Sequence, residues 1–373
     1  MARISEELVK DLAGHRYDDT PVVSCYLDVD GRRYVRPHDY ELHFDEMLRR
    51  TREREHKAGH HTVCSDLKRI DEYVKAGLDR SRTRGLAIFA CSPHDIWKVI
   101  ELPVPVRNQL VVNASPHVRQ LEGIIDEYER FAVLLADRER ARIFIFELGE
   151  LVEKTEKVDR LPRHEDDGGE LDRDSVRKHV EAAAQHHLKR AAATAFQVFQ
   201  EQGFDHLIIG APDPIAAELE RELHPYLRER IAARLSVRVN ATDDEIRRAA
   251  LDVESEVERG KEAAAVQKLR DAVGAGNGGA AGLDPVLAVL VERRVDTLLV
   301  SDGFEAPGWR CPACGYVATK GRRCPVCGSD MKAVEDVVEE AVEEALAQSC
   351  RVEVCHNNAD LDVLGRIGAL LRF

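Results

Sequence analysis

The stretch "RFAVLLADRERARIFIFELGELVEKTEKV", residues 130–158, decides the fold. Apolar runs at 132–136 and 141–147 flank the polar turn Asp137–Arg140. Two such runs joined by a polar turn read as an antiparallel meander. A charged segment follows, "RLPRHEDDGGELDRDSVRKHV" (160–180), in which Gly168 and Gly169 interrupt the charge. A helix is predicted over about 173–202, stopped by Gly203, and "DHLIIGAP" (205–212) reads as a buried strand. Strands paired locally and then again after a helix make this region a mixed-sheet α/β domain.

Outward from there, "PVVSCYLDV" (21–29), "RGLAIFAC" (84–91), "DIWKVIELP" (95–103) and "NQLVVNASP" (108–116) read as extended segments. A long polar helix is expected between them, over roughly 38–80. Further on, "PIAAELERELHPYLRERI" (214–231) reads as helix and "RLSVRVN" (234–240) as strand. A long helix is then expected over 241–273, with Thr242 and Glu245 as its capping box. "GAGNGGAAG" (274–282) has linker composition. Beyond it, helix and strand alternate: helix 283–294, strand 295–303, helix 332–349, strand 350–355 and the tail 360–373. The expectation is an α/β protein of three domains. These are an α/β N-terminal domain (1–127), a mixed-sheet middle domain (128–273) carrying the glycine loop 160–172, and a C-terminal α/β/α sandwich (274–373).

The totals restrict the function. With 373 residues and 44% hydrophobic content, each domain can bury a core. A formal net charge of −14 argues against a protein that coats nucleic acid non-specifically, and no DNA partner is expected. No run of about 18 apolar residues is present, so no membrane partner is expected either. The start "MARISEELVKDL" has no apolar core of signal-peptide length, and Cys25, Cys64 and Cys91 read as buried thiols, so a reducing cytoplasm is expected.

Four of the nine cysteines form "CPACGYVATKGRRCPVCG": Cys311, Cys314, Cys324 and Cys327. Each pair sits in a Cys-Pro-x-Cys-Gly turn that aims two thiolates at one point. Four thiolates fill a tetrahedral Zn²⁺ shell and leave no open position. The expected cofactor is therefore a structural zinc, held in a ribbon over 309–330.

The "DPVLAVLVERRVDTLLVSDG" segment, the ribbon inserted after it and the ending "LDVLGRIGALLRF" together resemble the third domain of archaeal and eukaryotic class-1 peptide-chain release factors. The "FAVLLADRERARIFIF" meander, the glycine-pair loop and "DHLIIGAP" resemble their second domain. The order of the first three strands is similar to their first domain. The chain thus resembles bacterial homologues of the release-factor and Pelota superfamily, including Balon-like relatives. The resemblance implies a ribosomal A-site ligand that contacts rRNA and tRNA, with a translational GTPase as partner. It also implies that Gly168 and Gly169 stand where the family keeps the two glycines of Gly-Gly-Gln, and Glu170 where it keeps the glutamine.

Glutamate changes that chemistry. A neutral amide beside a backbone N–H can position a water and an oxyanion without adding charge. Glu170 lacks the amide donor and adds a negative charge, and Glu165, Asp166, Asp167, Asp172 and Asp174 surround it. Release-factor-type hydrolysis is disfavoured. If the chain is an enzyme, the reaction is peptidyl-tRNA ester hydrolysis through Gly168, Gly169 and Glu170.

Candidate RNA contacts are Arg49, Arg50, Arg52 and Arg54 in "LRRTREREHKAGHH", and Arg173, Arg177 and Lys178 after the loop. Each set has a plain alternative, a solvated helix laced with local ion pairs. In "AVEDVVEEAVEEALAQ", a stripe from Val334 to Leu346 is expected to pack. Glu335, Glu339, Glu340, Glu343 and Glu344 are expected to face solvent. The function expected is a non-hydrolytic ribosome-associated factor in hibernation or stalled-ribosome handling. The alternatives are a rescue hydrolase and a non-ribosomal protein or RNA adaptor.

Overall fold

The computed structural model describes residues 4–17, 20–81, 83–127, 130–158 and 173–373. It divides into two compact units, Met1–Glu127 with Lys261–Phe373, and Tyr128–Gly260.

The first part of unit one runs α1 (Glu6–Gly14), β1 (Val22–Asp28), α2 (Pro37–Ala58), α3 (His61–Lys75), β2 (Gly85–Cys91), β3 (Ile96–Leu102), β4 (Gln109–Asn113) and α4 (Arg119–Glu127). The strands form an antiparallel sheet in the order β3-β2-β1-β4. Val23, Cys25 and Leu27 of β1 pack with Phe44 and Leu48 of α2 and with Leu67 and Ile70 of α3. The single long helix expected here is two. Gly59 adopts the left-handed conformation (φ 81°), and its N–H caps the carbonyls of Glu55 and His56. Only glycine takes that conformation without strain, so the chain turns there.

The middle of the chain runs β5 (Phe131–Ala136), β6 (Arg140–Glu147), β7 (Glu150–Val158), α5 (Arg173–Gln202), β8 (His206–Gly210), α6 (Asp213–Glu222), α7 (Pro225–Arg228), β9 (Ile231–Arg234) and α8 (Asp243–Gly274). The sheet order is β7-β6-β5-β8-β9, antiparallel through the meander and parallel from β5 to β9. Period-two alternation splits its core. Ala132 and Leu134 face Leu188 and Ala195 of α5 and Leu219 of α6. Phe131, Val133 and Leu135 face Ile246 and Ala250 of α8. The strand expected at 234–240 lies earlier, at β9. Buried Arg142 donates to the carbonyls of Val239 (2.9 Å) and Ala241 (2.7 Å), so a side chain serves that backbone in place of a ladder. The capping box forms as read. Thr242 N–H donates to Glu245 Oε2 at 2.8 Å, and Glu245 N–H donates to Thr242 Oγ1 at 3.3 Å.

The second half of α8 belongs to unit one. There follow β10 (Gly279–Ala281), α9 (Leu283–Val291), β11 (Val295–Ser301), β12 (Gly308–Arg310), β13 (Val317–Ala318), β14 (Lys332–Val334), α10 (Val337–Ala347), β15 (Arg351–Cys355), α11 (Ala359–Val363) and β16 (Ile367–Leu371). The main sheet is β10-β16-β11-β15, with only β11 and β15 parallel. Val266 and Leu269 of α8 pack with Leu299 and Leu370. The glycine-rich segment read as a linker is partly strand, since Gly279–Ala281 pairs with residues 368–370. The helix expected from 332 starts at Val337. Residues 332–334 pair with β12, and Asp336 caps the helix by accepting from Val338 N–H at 3.0 Å.

Candidate functional site

Two short turns build the four-cysteine cluster. Gly315 N–H donates to Cys311 O and Gly328 N–H to Cys324 O, both at 2.9 Å. Cys311 N–H donates to Tyr316 O and Cys324 N–H to Ser329 O, both at 2.8 Å. Gly315 (φ 74°) and Gly328 (φ 75°) close the turns in the left-handed region. The four Sγ atoms lie within 4.8 Å of one another. The Cys311–Cys327 and Cys314–Cys324 separations are 3.4 and 3.5 Å. A disulfide would bring sulfurs to about 2.05 Å. Metal–sulfur bonds of about 2.3 Å give a tetrahedron edge of roughly 3.8 Å, so these spacings fit a shared cation. Hydrogen bonds from Ser329 bring the Cys327 thiol down to about 6, whereas Cys314, despite a backbone hydrogen bond from Tyr316, is raised to about 12 by desolvation and by its cysteine neighbours. The surrounding core is small, with Met331, Trp309, Tyr316 and Ala318 packed on Cys311 and Cys324.

A second cluster in unit one overturns the expected solvated face of α10. Glu339, Glu340 and Glu343 are buried. Glu335 is exposed as expected, and Glu344 is half-buried. Arg119, 1% exposed, answers the first of the buried carboxylates. Its Nη2 lies 3.2 Å from Asp336 Oδ2, its Nε 3.8 Å from Glu339 Oε2, and its Nη1 donates to Phe304 O at 2.6 Å. Glu339 Oε1 accepts the N–H groups of Val118 (2.6 Å) and Arg119 (3.2 Å), which places an anion at the start of α4. Ser115 donates to Glu343 at 2.6 Å. Arg16 (2.9 Å) and Arg310 (3.0 Å) both reach Glu340 Oε2. Arg310 immediately precedes Cys311, so the network joins the first cysteine turn to Arg16 and Ser115 of the N-terminal part.

Burial sets the protonation states. It pushes the Glu339 carboxyl up to about 7, although Arg119 opposes it. Burial and the neighbouring Glu340 and Glu339 carboxylates raise Glu343. His117, with Nδ1 3.4 Å from Glu339 Oε1, is driven down to about 3 by burial and by Arg119, so it is neutral. His117, Asp336 and Glu339 also lie close enough to share a cation. The Arg119 guanidinium already supplies positive charge there.

Gly168, Gly169 and Glu170 lie outside the described residues, as do the side chains of Arg173 and Arg177. The flanking elements are β7, which ends at Val158, and α5, which starts at Arg173. Lys178 is exposed. On α2, Arg49 pairs with Glu53 at 3.4 Å and Arg50 pairs with Glu46. Arg54 pairs with Glu55 at 2.8 Å and with Glu335 at 2.9 Å. Arg52 is exposed, with no ion pair among the described residues. Unit two has an open cavity of about 700 Å³ at the ends of β5 and β8, lined by Asp137, Arg140, Pro212, Arg238 and Asn240 among others. No helix among the described residues is long and apolar enough to cross a membrane.

Residues 116–255 match the family model described as bacterial archaeo-eukaryotic release factor family 10. No curated protein matches the chain. Among solved structures it is similar to the archaeal translation termination factor aRF1, at 17% identity over 99% of both chains with a TM-score of 0.28. It is also similar to Dom34 of S. cerevisiae, described as a translation termination-like factor that interacts with Hbs1, at 10% identity over 75% of this chain and 74% of that one (TM-score 0.41). A third is an archaeal Pelota described as ribosome-bound with ABCE1, at 14% identity over 100% and 95% (TM-score 0.40). Over residues 116–255, then, the chain is similar to the bacterial archaeo-eukaryotic release factor family 10.

Proposed function

We propose that this protein is a ribosome-associated translation factor that occupies the A site without hydrolysing peptidyl-tRNA, in hibernation or in the handling of stalled ribosomes. The observation that carries the reading is the release-factor family match over residues 116–255, within which the loop reads Gly168-Gly169-Glu170. A release-factor-like frame supports a ribosomal ligand. An acidic side chain in place of a neutral amide disfavours stabilisation of an oxyanion. In this reading residues 1–127, 128–273 and 274–373 act as three modules, and a translational GTPase delivers or releases the factor. Of the candidate cations whose side chains are described, Arg52 and Lys178 are assigned to rRNA phosphate, since they are exposed and have no ion pair among the described residues. Cys311, Cys314, Cys324 and Cys327 hold a structural Zn²⁺, and the compartment is the cytoplasm.

The retained glycine pair favours one second reading, a peptidyl-tRNA hydrolase or rescue factor. Release of labelled peptide from ribosome-bound peptidyl-tRNA separates the two. The proposed function expects release at the level of the no-factor control. Release above that level that is lost in Gly169→Ala would replace it with the hydrolase.

A further inference from the structure

Glu340 lies fully buried between the two parts of unit one, and each part sends it an arginine. Arg16, just after α1, places its Nη1 2.9 Å from Glu340 Oε2. Arg310, at the end of β12, places its Nη1 3.0 Å from the same oxygen. Arg16 Nη1 also reaches Glu343 Oε2 at 3.4 Å, and Asn113 Nδ2 donates to Glu340 Oε1 at 3.5 Å. The helix α1 itself packs against α10. One carboxylate is therefore the meeting point of the N-terminal part, α10 and the cysteine module.

The aim of Arg310 depends on that module. β12 has three residues, and Arg310 pairs with Val317 on one side and with Lys332 on the other. The next N–H, of Cys311, donates to Tyr316 O at 2.8 Å. Gly308 opens β12 so close to α10 that a Cβ there would meet Val337 Cβ at 2.6 Å, which seats the strand on the helix. The apolar support is small: Met331, Trp309, Tyr316 and Ala318 around Cys311 and Cys324. Such a core does not offset the entropy of ordering the segment, and four thiolates around one cation supply the rest. Loss of the cation unpairs β12 and takes Arg310 away from Glu340.

Docking of the N-terminal part is tied to the same oxygen. A carboxylate taken out of water without a partner is strongly destabilising. With Arg310 in place, Glu340 already has a cation when α1 covers it. Without Arg310, Arg16 alone answers both Glu340 and Glu343. In return, the covering helix excludes water from the Arg310–Glu340 pair and strengthens it. We propose that cation binding at Cys311, Cys314, Cys324 and Cys327 latches the N-terminal part onto α10 through Arg310 and Glu340. The latch rests on the metal reading of the four cysteines and is independent of ribosome binding. Coupling of this kind is reciprocal, so whatever loosens the N-terminal part also weakens the hold on the cation.

Hydrogen exchange read by mass spectrometry on the full-length protein, zinc-loaded and after chelation, tests this. Chelation is expected to speed exchange about tenfold in α1, and not only in residues 309–334. Zinc-loaded Arg310→Ala, with all four cysteines intact, is expected to exchange in α1 like the chelated parent and to ignore the chelator there. Arg16→Ala, whose site touches no cysteine, is expected to yield zinc to a chromogenic chelator at about tenfold lower chelator concentration. The parent comparison needs no variant, so it decides the matter even where Arg310→Ala fails to fold. Zinc loss that speeds exchange in 309–334 and leaves α1 unchanged overturns the latch while keeping the metal reading. Unchanged zinc retention in Arg16→Ala overturns the latch as well. A parent protein that takes up no zinc overturns both, whatever its behaviour with ribosomes.

Discussion

The Glu339 carboxylate closes the first turn of the helix that Arg119 begins. It accepts the Val118 and Arg119 N–H groups at 2.6 and 3.2 Å, while the Arg119 guanidinium turns back to within 3.8 Å of the same carboxylate. One residue thus contributes both a backbone donor and a charge to a single buried anion. The N-terminal strands and α10 are held together through this pair, and removing either partner leaves an uncompensated charge.

Arg119→Ala is expected to cost about 3–5 kcal/mol, the range for breaking a buried pair from one side. Arg50→Ala, on the solvent face of α2, is expected to change stability by about 0.5 kcal/mol or less. Urea unfolding of both variants checks the contrast. Equal effects would mean that the buried network contributes nothing special.

The same network predicts opposed pH dependences. The Glu339 carboxyl is raised from 4.5 to about 7 in the folded state, so between those values the folded protein holds a proton that the unfolded chain has lost. Stability contributed by Glu339 is present below 4.5 and falls as pH rises towards 7. His117 is lowered from 6.5 to about 3, so its contribution is present above 6.5 and falls as pH drops towards 3. Unfolding free energies at a series of pH values, for the parent, Glu339→Gln and His117→Gln, check both signs. The parent-minus-Gln difference should decline with rising pH for Glu339 and with falling pH for His117.

Thr242→Ala should cost about 1 kcal/mol, because it removes the hydroxyl that accepts the Glu245 N–H. Glu245→Ala should act on the same cap, so the double variant should lose less than the sum of the singles. Chemical denaturation of the three variants reads this directly.

Metal analysis by mass spectrometry should find one zinc per chain, lost in a Cys311→Ser/Cys324→Ser variant. Chelation should lower the thermal transition, because the small core around Trp309 and Met331 cannot fold the ribbon alone. Metal content that is unchanged in the double variant would move the site elsewhere.

Elements with apolar runs or clear end signals were legible in the sequence. The meander β5–β7, the long helix α5 with its stop at Gly203 and the cap of α8 stand where the apolar runs, glycine and Thr242 put them. The cysteine turns were legible because spacing alone brings the thiols together. The buried face of α10 was not. Its valines and alanines mark one packed stripe, and only the distant residues Arg16, Ser115, Arg119 and Arg310 make burial of Glu339, Glu340 and Glu343 tolerable. A buried carboxylate reads like a solvated one until its partners are placed. The segment 234–240 misled for a related reason. It has strand-like alternation, but Arg142 serves its carbonyls in place of a neighbouring strand.

The measurement that tests the central claim most directly is co-sedimentation of the full-length protein with bacterial ribosomes at low and moderate salt, with and without an elongation-factor GTPase. The account predicts a complex that survives moderate salt and is weakened by Arg52→Ala combined with Lys178→Ala. Protein that stays in the supernatant under every condition would contradict it and leave the fold serving a non-ribosomal partner.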